Sequence, residues 1–166
     1  MNRKCHLLLV LVFFFTNLHA QDIHKLNASH FKGVPDQNSD YQGYFSSRFG
    51  YQPIRFAPVI GGQMIEFNVI LQLEQSKSWL KHPYSETDPR STALLQYLNG
   101  LWKIKQQFRT EFERKLNHTL FRKDYKPQVD TLYQQLSLKY NRIEQLYKTR
   151  YEVKGRRVLS IDQLKP

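Results

Sequence analysis

The fold is set by residues 88–151, which read DPRSTALLQYLNGLWKIKQQFRTEFERKLNHTLFRKDYKPQVDTLYQQLSLKYNRIEQLYKTRY. Asp88 followed by Pro89 is a typical helix start, because aspartate caps free backbone N–H groups and proline has none to satisfy. Apolar residues then recur every three or four positions, as on one face of an α-helix; they are Leu94, Leu98, Leu101, Ile104, Phe108, Phe112, Leu116 and Leu120. The pattern predicts one helix to about Lys123, either continuous or kinked near residues 99–100.

A second helix is predicted after a turn at residues 124–127. Its contact positions alternate spacings of three and four, the pattern of a seam between two helices; they are Val129, Leu132, Leu136, Tyr140, Ile143, Tyr147 and Arg150. Because the connection is short, the two helices should be antiparallel neighbours. The stretch therefore predicts a long helical hairpin over residues 88–151.

One strand is predicted before the hairpin, over residues 63–74. Apolar side chains alternate there with mostly polar ones, and this period of two is typical of a half-buried strand; the apolar set is Ile65, Phe67, Val69, Leu71 and Leu73. The Gly61-Gly62 pair precedes this strand rather than a helix, so we interpret it as a tight turn and not as a phosphate-binding loop. The apolar face of the strand needs a packing partner, and the helical hairpin can supply one.

The remaining segments complete the predicted architecture. An aromatic cluster predicts a short helix around residues 44–49, and residues 151–161 predict a small hairpin with its turn at Lys154-Gly155. Residues 21–43 are rich in polar residues and glycine without a period, which indicates a flexible N-terminal arm. The predicted fold class is α+β, with a long antiparallel helical hairpin packed with a small β-sheet in a single domain at residues 44–166.

Residues 1–20 predict export of the protein. Arg3 and Lys4 precede an unbroken apolar run at residues 7–15, and a short polar stretch then leads to Ala20, which is the layout of a secretory signal peptide. The run is too short to span a membrane, which takes about 20 residues. We expect cleavage near Ala20, a secreted or periplasmic location and no transmembrane span in the mature chain. Cys5 is the single cysteine and would leave with the signal, so neither a disulfide nor a catalytic thiol is expected.

Positive charge is concentrated in the second half of the chain. Residues 21–99 carry seven basic and seven acidic side chains, whereas residues 100–166 carry sixteen basic and seven acidic ones, a net charge of +9. Six cations lie near Tyr125 or in the predicted terminal hairpin: Lys115, Arg122, Lys123, Lys126, Arg156 and Arg157. If the hairpin folds back beside the turn, they form one patch suited to anionic envelope polymers or lipid headgroups. The alternative is a solvated face that keeps the protein soluble, and nucleic acid is not an expected partner of an exported protein.

A second set of candidate contact residues is aromatic. Tyr133, Tyr140 and Tyr147 repeat every seven residues on the second helix. Tyrosine places an apolar ring against a partner while its hydroxyl group bonds to water or to an acceptor. These side chains therefore either line the seam inside the helical hairpin or form a contact stripe for another protein, including a second copy of this chain in a homodimer.

The sequence contains no motif for catalysis. Nucleophile-elbow, zinc-protease and phosphate-binding glycine motifs are absent. The histidines at positions 24, 30, 82 and 118 do not have the spacing of a zinc site. Glu66 and Glu74 share the polar face of the predicted strand but are about 27 Å apart by strand rise, which is too far for a glycosidase pair. We therefore predict no catalytic residue, no metal and no cofactor.

These observations predict a non-enzymatic interaction protein that is secreted or periplasmic. Its expected role is that of an accessory subunit of an envelope assembly, acting through the basic and tyrosine-bearing helical half. The first alternative is a binder of anionic envelope polymer or lipid headgroups through the basic patch. The second alternative is a hydrolase whose active site has no recognisable motif.

Overall fold

The computed structural model describes residues 23–39 and 41–153. In chain order its elements are the strands β1 (Gly43–Tyr44), β2 (Ser47–Val59), β3 (Gly62–Leu73) and β4 (Trp79–Leu80), the helix α1 (Pro89–Asn117), the strand β5 (Leu120–Phe121) and the helix α2 (Lys126–Val153). Two short 3-10 turns lie at Ala28–His30 and Gln75–Lys77. The predicted α+β class is confirmed, since two long helices pack together beside small antiparallel sheets.

α1 begins where the sequence predicts. The Asp88 carboxylate accepts hydrogen bonds from the backbone N–H groups of Arg90 and Ser91, at 3.0 and 3.1 Å. These bonds hold the pKa of Asp88 below its ordinary value. Pro89 occupies the first turn, where a missing N–H costs nothing. The local sequence alone therefore fixes this helix start.

The end of α1 differs from the prediction. The helix is unbroken through Gly100, but it ends at Asn117 rather than near Lys123. Leu120 and Phe121 leave the helical path because they pair with β3, and this pairing accompanies complete burial of Phe121. Leu120 is the last residue of the apolar helical pattern, but its pairing with β3 outweighs its local preference for the helix.

α2 runs antiparallel to α1. Phe112, near the end of α1, contacts Tyr133 near the start of α2, whereas Tyr97, near the start of α1, contacts Tyr147 near the end of α2. Residues 151–153 belong to α2, so they are helical rather than the start of the predicted terminal hairpin. The other residues of that hairpin lie outside the described part of the chain.

β2 and β3 form a long antiparallel hairpin, and β5 pairs with the other edge of β3. The alternation predicted for β3 is confirmed, because Ile65, Phe67 and Val69 are at most 2% exposed. The short helix predicted around residues 44–49 is wrong. The strands β1 and β2 lie there instead, and the register of β2 places Phe49 on the face that meets the helices.

The sheet and the helical hairpin bury two clusters of apolar side chains. The first joins β3 to the later part of α1 and the first half of α2: Ile65, Phe67, Val69, Phe112, Leu116, Phe121, Val129 and Leu136. The second surrounds the earlier part of α1: Leu26, Phe45, Leu73, Tyr97, Leu98, Leu101 and Trp102. Full burial of one large apolar side chain contributes about 1.5–3 kcal/mol, so these clusters hold the elements together.

The described part of the segment predicted as a flexible arm contacts α1. The Asn99 side chain donates to the carbonyl oxygen of Leu26 at 2.9 Å and accepts from its N–H at 2.7 Å. Trp102 Nε1 donates to the carbonyl oxygen of Ile23 at 2.6 Å. Leu26 itself is fully buried. These contacts anchor residues 23–26 to α1, while the division of the chain into arm and domain stays a prediction.

Candidate functional site

The end of the molecule where α1, β5 and α2 meet is fixed against β3. Arg109 Nε donates to the carbonyl oxygen of Val69 at 2.9 Å, and Asn117 Oδ1 accepts from the N–H of Phe67 at 2.7 Å. β5 pairs with two residues of β3, Gln63 and Met64. The bonds from Arg109 and Asn117 engage backbone groups farther along β3, at Val69 and Phe67. The chain leaving α1 therefore arrives beside the tip of the β2–β3 hairpin.

Three exposed cations lie in and after the connection between β5 and α2. We call Arg122, Lys123 and Lys126 the basic turn. Gln63 Nε2 donates to the carbonyl oxygen of Arg122 at 3.3 Å, which ties the turn to the start of β3. Among the described residues, none of the three cations has an acidic partner within ion-pair distance. Asp124 lies exposed in the same segment, so the net charge from Arg122 to Lys126 is +2.

Some cations elsewhere on the helices pair with acids. Lys139 Nζ lies 2.6 Å from a Glu111 carboxylate oxygen, and Lys105 Nζ lies 3.7 Å from one of Glu144. The hydrogen bond from Lys139 holds the pKa of Glu111 below its ordinary value, and the charge of Lys115 acts in the same direction. Lys115 also lies in the last turn of α1, where the helix dipole favours a cation. Lys115 is half-buried on α1, whereas the cations of the basic turn are exposed, and the part of Lys115 in the predicted patch stays a prediction.

Tyr125 packs inward beneath the basic turn. Its ring centroid lies 5.8 Å from that of Phe56, 6.1 Å from that of Phe67 and 6.4 Å from that of Phe121. The side chain thus closes the core and offers little free aromatic surface. Arg156 and Arg157, the last members of the predicted patch, lie outside the described residues. Their approach to the basic turn stays a prediction.

The three heptad-spaced tyrosines of α2 contact α1 within the same chain. The ring-centroid distances are 5.7 Å for Tyr133–Phe112, 5.6 Å for Tyr140–Phe108 and 5.7 Å for Tyr147–Tyr97. Of the two roles that the sequence left open, these contacts favour a place in the seam of the helical hairpin. Tyr133 keeps 37% of its surface exposed, so it is the member of the set most available to another molecule.

The hydroxyl groups of Tyr140 and Tyr147 in this seam are held protonated. Burial, together with the hydrogen bond that Tyr140 donates to Glu111 Oε2 at 2.8 Å, raises the pKa of Tyr140 to about 12. Burial likewise raises the pKa of Tyr147, and its contacts with Tyr151 and Tyr97 act in the same direction. These groups serve as hydrogen-bond donors inside the fold rather than as acids or bases.

An apolar surface at the tip of the β2–β3 hairpin is missing from the sequence predictions. Ile60 is fully exposed in the turn, Val59 is 45% exposed and Leu120 of β5 is 48% exposed. We call these three residues the apolar tip. Gly61 adopts a φ of 87°, which favours glycine and agrees with the predicted tight turn. An isoleucine within such a turn was the available signal, since turn residues are mostly polar.

The apolar tip and the basic turn adjoin each other. Gly62 packs so closely on β5 that a Cβ here would collide with the carbonyl oxygen of Phe121 and lie 3.1 Å from a Leu120 side-chain carbon. Strand alternation turns Phe121 inward and places Leu120 and Arg122 on the opposite, outward side. Leu120 and Arg122 are exposed and Phe121 is buried, as this alternation requires. One end of the molecule therefore presents apolar and cationic side chains together.

Other chemistry has weaker support in the described part of the chain. No three His, Cys, Asp or Glu side chains in the described ranges lie close enough together to hold a metal ion. A groove of about 740 Å³ follows one side of α1. Its wall holds the ion pair of Glu111 with Lys139 and three further cations, Lys103, Arg109 and Arg114. Within residues 23–39 and 41–153, neither helix combines the length and the apolar character that crossing a bilayer requires.

Comparison of the chain with protein-family models, with curated proteins and with solved structures finds no match. Inferences about function therefore rest on the residues of this chain. Among these, the adjoining apolar tip and basic turn form the most distinctive exposed surface.

Proposed function

We propose that this protein is a secreted or periplasmic, non-enzymatic protein that binds a phosphate-bearing anionic surface of the cell envelope through the basic turn. The observation that carries the proposal is the grouping of three exposed cations, Arg122, Lys123 and Lys126, within five residues, with no acid among the described residues at ion-pair distance from them. Guanidinium and ammonium groups without an acidic partner can donate charge-assisted hydrogen bonds to phosphate. The predicted signal peptide at residues 1–20 is the basis for the proposed location.

Charge supports binding to an anionic surface at long and at short range. Without Arg3 and Lys4 of the predicted signal peptide, the net charge falls from +11 to +9, and this positive charge raises the rate of encounter with such a surface. At contact, each Lys or Arg near an anionic membrane surface contributes about 1 kcal/mol. The three cations of the basic turn then contribute about 3 kcal/mol, which corresponds to about a hundredfold in affinity. Asp124 opposes part of this attraction, so the cations and not the turn as a whole are the groups to replace.

The test is binding of the secreted protein to vesicles that contain phosphatidylglycerol and, separately, to soluble polyphosphate. The triple variant Arg122→Gln, Lys123→Gln, Lys126→Gln should bind both probes about a hundredfold more weakly than the wild type. Phosphatidylcholine vesicles provide the neutral reference surface. Wild-type affinity of the triple variant for both anionic probes would contradict the proposal.

A matched control removes the same charge from elsewhere. Lys103, Arg142 and Arg150 are exposed on the helices, and the described residues include no acid within ion-pair distance of them. Replacing these three by glutamine should weaken binding only a few-fold, because salt screens charges more than about 10 Å from the contact. Equal losses in the two triple variants would show that total charge, and not the basic turn, decides the affinity.

An accessory subunit of an envelope assembly is the second candidate. Leu138 and Leu146 favour it, because they are 73% and 63% exposed on α2. A protein interface built on such apolar contacts should respond little to salt, whereas binding through the basic turn should weaken steeply as salt increases. A partner protein that co-purifies from the envelope in high salt, and is lost with Leu138→Asn, would favour this candidate.

A further inference from the structure

Val59 and Ile60 of the apolar tip lie at the end of the β2–β3 hairpin. β2 and β3 pair along almost their whole length, from Ser47 opposite Leu73 to Val59 opposite Gly62. Ile60 lies beyond the last pair and is fully exposed, and none of the described residues covers it. A large β-branched side chain at such a position has no role in the core. Its place in the fold points to a function outside the core.

Position links this side chain to the cations of the basic turn. Leu120 contacts Gly62 at the base of the hairpin turn, and Arg122 follows two residues after Leu120 on the outward side of the chain. The hydrogen bond from Gln63 to the carbonyl oxygen of Arg122 holds the two parts together. Any surface that accepts the cations therefore also meets the apolar tip.

The combination of the basic turn with the apolar tip favours one kind of partner. A soluble polyanion offers charge to Arg122 and Lys123 but no apolar phase to Ile60. An anionic lipid bilayer offers both, with phosphate headgroups above the hydrocarbon of the acyl chains. We propose that the partner at the basic turn is an anionic lipid bilayer, and that Val59, Ile60 and Leu120 insert into its headgroup–acyl boundary. This inference rests on the function proposed above and names its target.

The spacing along β2 agrees with shallow insertion. Phe56 lies three residues before Val59, about 10 Å along the strand. It is 51% exposed and packs against Tyr125. Apolar side chains of surface-bound elements enter a bilayer by about 5–10 Å, so Phe56 would lie near headgroup level, where aromatic rings are favoured. Val59 and Ile60 would then lie deepest, whereas Leu120, which pairs with Met64 opposite Ala57, would lie nearer the headgroups.

The test compares Ile60→Asn with Leu146→Asn in the full chain, with its native amino-terminal processing read by mass spectrometry. Asparagine is well tolerated in turns, so the first variant should keep the fold, which circular dichroism checks. We expect Ile60→Asn to weaken binding to phosphatidylglycerol vesicles by about tenfold or more, because burial of one isoleucine is lost. Leu146→Asn removes an equally apolar exposed side chain from the far end of α2 and should bind as the wild type.

Soluble polyphosphate separates failure of this inference from failure of the proposed function. Ile60→Asn should bind polyphosphate as the wild type does, since no insertion occurs there. If Ile60→Asn binds vesicles like the wild type, while the basic-turn triple variant loses both probes, the tip does not insert and the proposed function stands. If the wild type binds neither probe, both proposals are wrong.

A fluorescent probe reports insertion directly. Cys5→Ser with Ile60→Cys leaves one cysteine for an environment-sensitive dye, and Cys5→Ser with Leu146→Cys is its control. On anionic vesicles the emission of the dye at position 60 should shift to the blue, whereas the dye at position 146 should not respond. Equal responses at the two positions, or none at position 60 while the protein is bound, would overturn the inference.

Discussion

Replacement of Gly100 by alanine tests the packing of α1 against α2. On an exposed helix surface this change stabilises by about 1 kcal/mol, because alanine is the better helix former. At Gly100, however, a Cβ would collide with the hydroxyl group and the ring of Tyr147. The Tyr147 ring has little room to move away, since its centroid lies 5.7 Å from that of Tyr97 and 5.0 Å from that of Tyr151.

The expected cost follows from these contacts. Overpacking a well-packed site costs about 1–3 kcal/mol, and a displaced Tyr147 loses aromatic contacts of about 0.5–1.5 kcal/mol. The higher helix propensity of alanine offsets about 1 kcal/mol of this cost. We therefore expect Gly100→Ala to lower the free energy of unfolding by about 0.5–3.5 kcal/mol, with a central value of about 2 kcal/mol. Urea denaturation followed by circular dichroism should show a midpoint about 1 M lower, for a slope of about 2 kcal/mol per molar.

Two further variants make the result specific. Gly50 lies in β2, and no atom lies within 4 Å of the place that a Cβ would take there, so Gly50→Ala should stabilise by about 0.5–1 kcal/mol. In the Tyr147→Ala background, Gly100→Ala should no longer destabilise. A higher urea midpoint for Gly100→Ala in the wild-type background would refute the close approach of the helices at this position.

Three other predictions concern separate parts of the fold. Asn99→Ala removes both side-chain hydrogen bonds to Leu26, so amide exchange of Leu26, followed by mass spectrometry, should accelerate about tenfold; unchanged exchange would contradict the anchoring of this segment. Asp88→Ala removes the cap of α1 and should lower the free energy of unfolding in urea by about 1 kcal/mol, whereas Asp88→Asn should retain most of it. Burial and the hydrogen bond to Glu111 raise the pKa of Tyr140 from 10.0 to about 12, so its stabilisation is complete below pH 10 and is lost as the pH rises towards 12. Tyr140→Phe should flatten this alkaline loss in urea titrations at several pH values, and an unchanged slope would contradict the raised pKa.

Elements defined by local sequence are predictable here. Asp88-Pro89 sets the start of α1 through capping, and the alternation of Ile65, Phe67 and Val69 sets the buried face of β3. Both signals act within a few residues, because a helix start and a strand face need no distant partner to be recognised.

Elements defined by distant partners are not predictable in the same way. β2 contains Pro53 and Pro58, which argue against a strand, yet it pairs with β3 as an edge strand, where proline is tolerated. A register shift between Pro53 and Arg55 also breaks its alternation. Leu120 keeps the helical period of α1 but joins β3. In each case tertiary pairing outweighs the local preference.

The candidate site also has one part that is predictable from local sequence and one part that depends on distant partners. The basic turn is visible in the sequence because Arg122, Lys123 and Lys126 are nearly consecutive. The apolar tip is not visible, since Ile60 and Leu120 are sixty positions apart and adjoin only through the pairing of β3 with β5. Prediction of this surface therefore requires the sheet topology.

Attachment to an anionic lipid surface through the basic turn can be tested by salt titration. The quantity to measure is the affinity for phosphatidylglycerol vesicles between about 0.05 and 0.5 M salt, for the wild type and for the variant with Arg122, Lys123 and Lys126 replaced by glutamine. We expect wild-type binding to weaken steeply with salt, and the variant to bind weakly with little salt dependence. Wild-type binding that ignores salt, or a variant with the salt dependence of the wild type, would show that the basic turn does not attach the protein to the lipid.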